Sequence, residues 1–274
     1  MASLSITSAI KLPSGHSIPR LGLGVGYNPN ECYSACMAAL KHGYRLIDTA
    51  EMYGNEEAVG KAVRDSGIRR EDIFVTSKVP HDSPDVAASV KTSTEKLNIG
   101  IIDLYLIHSP HGGKDHRLKT WKKLVEAKAS GALRDIGVSN YNVQHIEEIR
   151  EAGFEMPAVN EIELHPLDQQ KPIVDYCAKN NIVVQAYCPL VRGAFDHPTL
   201  QEVSKKVGKS VAQILVRWSL QKGFVPLPKS ANAQRIAHNA EVFDFELSQE
   251  EMAALDALDK GDAGAISWNP IHQD

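Results

Sequence analysis

From residue 21 onward the chain repeats one unit: a short apolar or β-branched run, a turn, then a segment whose apolar residues recur with helical spacing. The short runs predict strands over 21–25, 46–48, 73–77, 102–107, 135–139, 158–163, 183–187 and 225–227. The intervening segments predict helices over 30–41, 55–66, 83–97, 118–129, 142–152, 169–179 and 233–241. One more is marked by Val211, Ile214, Leu215 and Trp218, an i, i+3, i+4, i+7 stripe. Ser83 reads as an N-cap followed by Pro84 at the first helical position, and Gly43, Gly67 and Gly131 stand where helices should stop. Eight strands alternating with helices predict an α/β fold with a parallel sheet, and the arrangement that closes is a (β/α)₈ barrel. No linker or composition shift divides the chain, so residues 1–274 read as one domain. Two additions flank the repeat. Residues 6–12, the turn Pro13-Ser14-Gly15 and residues 16–19 read as a β-hairpin placed to plug the barrel bottom. Residues 248–258 read as an extra helix with Ser248 and Glu251 forming a capping box, followed by an irregular tail carrying Trp268. An open doubly wound sheet is the competing architecture. Gly22, Gly24 and Gly26 start toward a dinucleotide fingerprint, but Tyr27 stands where the next glycine is needed.

Composition narrows the partners. With 30 Lys and Arg against 34 Asp and Glu the formal charge is −4, without the basic excess of a nucleic-acid or polybasic membrane binder. No stretch approaches the ~20 apolar residues of a membrane span, and the first residues lack the pattern of a secretory signal. Cys32, Cys36, Cys177 and Cys188 signal no disulfide framework in a chain of this size, and Cys32 and Cys36 share a helix face as small buried residues. The cytoplasm is the expected compartment, and nothing in the sequence marks an interface beyond a monomer.

In a barrel of this kind chemistry gathers at the carboxyl ends of the strands. Asp48 ends the second strand, Tyr53 follows in the next loop, Lys78 ends the third and His108 ends the fourth. Each alone has an ordinary reading as a loop acceptor, half-buried aromatic, rim charge or buried imidazole. Together, on neighbouring strands, they bring a carboxylate, a phenol, an ammonium and an imidazole to one mouth. His111 and His116 follow closely, but in a Gly-Gly loop without a carboxylate partner, so no metal is expected.

The surrounding segments are specific. Residues 43–60, from Gly43-Tyr-Arg-Leu-Ile-Asp48 through Tyr53 to Gly60, resemble the first signature of the aldo-keto reductase superfamily. Residues 131–141, ending Ser139-Asn140-Tyr141, resemble the second, and 227–239, with Lys229-Ser230 and Arg235, resemble the third. The resemblance runs over essentially the whole chain and implies NADPH-dependent reduction of aldehydes and ketones to alcohols, as in the shorter microbial and fungal members. It implies Tyr53 as the acid, Lys78 lowering the phenol from its free pKa of ~10, Asp48 holding Lys78, and neutral His108 orienting the carbonyl.

The resemblance also implies the cofactor contacts. Ser139 and Asn140 would meet the carboxamide, with Glu161 beside them, and Tyr187 would stack on the ring. Pro189 and Leu190, in the loop running to Gly193, would follow the pyrophosphate. Lys229, Ser230 and Arg235 would hold the 2′-phosphate, as two cations and a hydroxyl suit a dianion, and Asn239 would reach the adenine. Glu161 departs from the glutamine usual at its position, since a carboxylate accepts but does not donate unless protonated. His238 departs from a glutamate. Gly26, Tyr27, Pro80, Ser109 and Trp268 are the expected pocket residues, around a fairly open site for a small-molecule carbonyl. The alternative to an enzyme is a cofactor-bound regulatory or binding subunit of the same fold without significant turnover.

Overall fold

The computed structural model describes residues 4–27 and 30–274. A two-stranded antiparallel hairpin, β1 (Ala9–Lys11) and β2 (Ser17–Pro19), precedes the repeat. Eight parallel strands then lie in the sheet in chain order: β3 (Leu23–Gly24), β4 (Leu46–Asp48), β5 (Phe74–Val79), β6 (Ile102–Ile107), β7 (Leu133–Ser139), β8 (Val159–Glu163), β9 (Val183–Tyr187) and β10 (Val225–Pro226). The ring closes through backbone bonds between its first and last segments. Gly22 N donates to Pro226 O at 3.1 Å and Gly24 N to Pro228 O at 3.2 Å, with Gly24 bridging Lys229 in parallel. The chain is a (β/α)₈ barrel with an N-terminal hairpin.

The barrel lumen is packed in layers. Leu46, Phe74, Leu104, Val159 and Val225 form one apolar cluster with Leu12 and Ile18 of the hairpin, so the hairpin seals the amino-terminal end. Nearer the carboxyl ends the inward positions turn polar, at Asp48, Lys78 and Glu161, all buried. The outward faces of the strands pack into a second, larger cluster under the helices, which takes in the Val211, Ile214, Leu215 and Trp218 stripe.

The helices are α1 (Cys32–Lys41), α2 (Glu56–Asp65), α3 (Val86–Leu97), α4 (Gly113–Ala129), α5 (Val143–Glu151), α6 (Lys171–Lys179), α7 (Pro198–Val207), α8 (Val211–Gln221), α9 (Ala233–Ala240) and α10 (Gln249–Asp256). Ser248 and Glu251 form the expected capping box on α10, and Ser210 with Gln213 forms another on α8. Gly60 of α2 lets that helix touch α3. A β-carbon there would fall 1.8 Å from Leu97 O, so Gly60→Ala should force the helices apart. The expected loss is about 1–3 kcal/mol, read as a lower denaturant midpoint at unchanged slope.

Three local expectations change. Ser83 does not cap α3: its amide closes a turn onto Pro80 O at 3.2 Å, and its hydroxyl meets Ser89 Oγ at 2.9 Å. Asp85 is the cap, accepting from Ala87 N and Ala88 N, because a carboxylate serves two orphan amides and its charge favours a helix start. Helix α4 begins at Gly113, five residues before the expected 118, although its first turn carries no apolar residue. Tertiary bonds hold that turn: Arg117 is forked onto Glu148 at 2.7 and 2.8 Å, and Gly113 N donates to Asp274 O at 3.1 Å. Helix α7 was not expected at all. Its signals are Pro198 in the first turn, the buried pair Leu200 and Val203, and Gly208 closing it at φ +74°.

Beyond α10 the chain returns across the carboxyl end of the barrel. Ile266 N and Ser267 N donate to the buried Glu163 carboxylate at 2.6 and 3.0 Å. Farther on, Asn142 Nδ2 holds Ile271 O at 2.7 Å and His145 Nε2 holds Gln273 O at 2.8 Å. Trp268 lies between these anchors, half exposed over the mouth.

Candidate active site

Sheet register assembles the site. Asp48 pairs with Thr76, so Lys78 sits one pleat repeat farther along β5 on the same inward face. Lys78 pairs with Leu106, which places His108 just past the end of β6 on that face as well, its amide bound to Val79 O at 3.1 Å. Tyr53 comes from the 3₁₀ turn Glu51–Tyr53 after β4, where Gly26 lies so near the ring that an added β-carbon would be 3.5 Å from it. The four expected catalytic residues therefore meet. Lys78 Nζ donates to Asp48 Oδ1 at 2.7 Å and to Thr49 O at 3.0 Å, and lies 5.5 Å from the Tyr53 ring centre. Tyr53 OH is 3.4 Å from His108 Nε2, with the rings edge-on at 81°.

The electrostatics follow from burial and charge. Burial works against the Lys78 ammonium, but Asp48 and then Glu161 more than offset it, so its pKa lies above the ordinary lysine value and the charge persists. His108 is pushed well below the usual imidazole range, first by burial and then by Lys78, so it is neutral at physiological pH. Tyr53 reverses the expectation of a lowered phenol. Lys78 does pull it down, but burial pushes it up more strongly, and Asp48 and Glu161 add to the rise. Tyr53 thus holds its proton in the resting site.

Around this group the sheet brings in the expected nicotinamide residues. Ser139 Oγ donates to Glu161 O at 2.9 Å, Tyr187 OH donates to Asn140 Oδ1 at 2.8 Å, and Asn140 Nδ2 reaches His108 O at 3.2 Å. After β9 the chain bends through Cys188, Val191 and Arg192, all non-glycine residues at φ between +44° and +52°, beside Pro189 and Leu190. Such strained backbone costs of order 1–3 kcal/mol per residue and is concentrated where a loop must wrap a ligand. Lys229 follows β10 on the same rim as Gly24; Lys229 and Arg235 are exposed and form no ion pair among the described residues. Asn239 is buried on α9, and Ser230 Oγ accepts from Asn232 N at 3.1 Å. His238 is engaged elsewhere, 3.0 Å from Ser210 Oγ and 3.5 Å from Glu241.

At the mouth, Tyr27 packs 5.1 Å from Tyr53 and is 70% exposed, and Pro80 is half-buried. Trp268 faces His108 at 6.4 Å and stacks on His111 at 5.8 Å and 11°. Ser109 is fully buried, its hydroxyl 2.8 Å from His111 Nδ1. Sequence reasoning overlooked Gln185 and Glu163. Gln185 pairs in register with Glu161, and both its amide atoms are buried without a partner among the described residues. Glu163 anchors the tail that carries Trp268. Both occupy alternate inward positions of predicted strands, which was the available signal.

The polar layer of Asp48, Lys78, Glu161 and His108 stands at the carboxyl ends of the strands, where enzymes of this fold place their chemistry. The sequence model described as Aldo/keto reductase family matches residues 20–260. The chain is 44% identical over 262 residues to the glyoxal reductase of Bacillus subtilis, spanning 93% of this chain and 94% of that one. It is 39% identical over 261 residues to the methylglyoxal reductase DkgA of Escherichia coli, spanning 93% and 94%. Among solved structures, a Bombyx mori aldo-keto reductase in complex with NADP superposes with a TM-score of 0.86 at 36% identity, covering 94% of each chain. The chain belongs to the aldo/keto reductase family and is an oxidoreductase of carbonyl compounds. No described helix is long and apolar enough to cross a membrane.

Proposed function

We propose that this protein reduces small aldehydes and ketones, α-dicarbonyls such as glyoxal and methylglyoxal among them, to alcohols with NADPH, acting in the cytoplasm, where its four free thiols stay reduced. The observation that carries the reading is Tyr53 OH facing His108 Nε2 at 3.4 Å with the Lys78 ammonium behind the phenol. The residues present fit the cofactor: the buried Gln185 amide, in register with Glu161, has no partner among the described residues, and Lys229 and Arg235 stand exposed at the rim without an ion pair among them. When bound, NADPH supplies the hydride. Ser139, Asn140, Glu161 and Tyr187 would hold the nicotinamide end, Pro189 and Leu190 the pyrophosphate, Lys229, Ser230 and Arg235 the 2′-phosphate, and Asn239 the adenine.

The carbonyl oxygen would lie between Tyr53 and His108. Neutral His108 donates Nε2–H to it and so fixes the orientation, while Tyr53 gives up its phenolic proton as negative charge builds on that oxygen. The phenolate left behind is then stabilised by Lys78, and Asp48 keeps Lys78 in place. Tyr27, Pro80 and Trp268 would bound the substrate, with Ser109 setting His111. The open mouth and half-exposed Trp268 support small substrates over large ones.

The test is NADPH oxidation with a panel of aldehydes, α-keto esters and dicarbonyls. Cofactor binding without turnover across the panel would overturn the reading in favour of a binding subunit. Cofactor choice has its own check. Lys229→Ala with Arg235→Ala should weaken NADPH by roughly 100-fold or more and leave NADH within about twofold, since each charge-assisted bond to the phosphate is worth about 1.5–3 kcal/mol. Equal losses for both cofactors in fluorescence titrations would show that these cations do not read the 2′-phosphate.

A further inference from the structure

Asp48 and Glu161 approach Lys78 from opposite sides of the lumen, on β4 and β8. One oxygen of each lies on the ammonium, Asp48 Oδ1 accepting a hydrogen bond at 2.7 Å and Glu161 Oε1 in an ion pair at 3.2 Å, and a further ammonium proton goes to Thr49 O. Lys78 gives no hydrogen bond to either outer oxygen. Asp48 Oδ2 and Glu161 Oε2 are both buried and receive no hydrogen bond from any described residue. The two carboxyl groups nevertheless meet on the same ammonium, each with one oxygen within 3.2 Å of Lys78 Nζ.

Charge counting makes this arrangement untenable with both groups ionised. Two carboxylates against one ammonium leave a surplus negative charge in a site where Asp48, Lys78 and Glu161 are each at most 4% exposed. No described neighbour supplies a second cation. The elements packed around Glu161 present the Tyr53 phenol, the Tyr187 phenol already committed to Asn140, neutral His108 and the uncharged Gln185, and farther along β8 the buried Glu163 carboxylate, which Ile266 N and Ser267 N bind. We propose that Asp48 and Glu161 share one proton, held between Oδ2 and Oε2, so that Glu161 enters the site as a neutral acid and serves as a positioning residue for the proton donor. The shared proton gives both outer oxygens a partner and makes the cluster neutral. Burial first, and then Asp48, hold the Glu161 carboxyl well above the usual carboxylate range. The consequence for Tyr53 rests on the reductase reading: with the proton in place Lys78 has one full countercharge, and loss of the proton adds a negative charge that opposes formation of the phenolate.

The experiment uses the protein without cofactor or substrate, so its outcome is independent of whether turnover is found. In infrared difference spectra at neutral pH, wild type minus Glu161→Gln should show a carboxylic-acid C=O band that shifts in heavy water. Asp48→Asn should remove the same band, because Glu161 alone beside Lys78 becomes an ordinary ion pair. A global disturbance would not erase that one band in both variants. A second readout is thermal unfolding. A carboxyl that keeps its proton in the fold but loses it on unfolding makes stability fall as pH rises from the ordinary Glu value toward the pair's own titration. The unfolding temperature of Glu161→Gln should therefore gain on wild type as pH rises above the ordinary Glu range. Identical infrared spectra for wild type and Glu161→Gln, or parallel unfolding profiles, would overturn the proposal.

Discussion

Replacing Tyr53 with Phe should leave NADPH binding within about twofold and lower kcat/KM for a small aldehyde by roughly 10³-fold or more, about 4 kcal/mol of transition-state stabilisation. The change removes one oxygen and its proton from a ring that otherwise keeps its contacts with Tyr27 and the Lys78 ammonium. Lys78→Met should lose a comparable factor, because the buried phenol is already pushed above its ordinary value and Lys78 is the group pulling it down. The double variant should be hardly slower than either single one, since the two side chains act on one proton and their effects do not add. Single-turnover measurements at saturating NADPH read the chemical step directly. A Tyr53→Phe enzyme within tenfold of wild type would show that the proton comes from elsewhere.

Arg117→Met should be the most destabilising single change away from the lumen. Its guanidinium is 4% exposed, forked onto Glu148, and also donates from Nη1 to Pro110 O at 2.9 Å. Removing it strands the Glu148 carboxylate under the surface, a loss of about 3–5 kcal/mol. For a chain of this size that is a fall of roughly 10 °C in unfolding temperature. Arg117→Met with Glu148→Leu should recover much of it, because no unpaired charge then remains. Pro110 O lies in the loop just after His108, so the single variant should also raise KM for the carbonyl substrate. Calorimetry with steady-state kinetics checks both, and a stability within about 1 kcal/mol of wild type would mean that Glu148 finds another partner or water.

The four chemistry-bearing residues were legible because strand ends can be read from short apolar runs, and in a parallel barrel those ends converge. What burial does to them was not legible. Lys78 beside Tyr53 suggests an acidified phenol, yet the lumen raises it, since desolvation depends on everything that surrounds the ring. Ser109 read as a pocket wall and is buried behind His111. Helix α4 starts earlier than its apolar pattern because Arg117 finds Glu148 31 residues away. The cap of α3 moved from Ser83 to Asp85, although both stand before the same apolar run.

The sequence by itself determined the repeat of strand and helix, the hairpin before it, the capping box at Ser248 and the identity of the polar residues at the strand ends. These follow from period, turn chemistry and residue type, which are local properties. Only the tertiary structure decided that Asp48 and Glu161, 113 positions apart, confront one ammonium, and that the tail bearing Trp268 is tied to Glu163 and His145. Sheet register and closure of the ring bring those groups together. Their charge states follow from that proximity in a dry lumen, where the energy of each ionised group depends on its neighbours more than on its own chemistry.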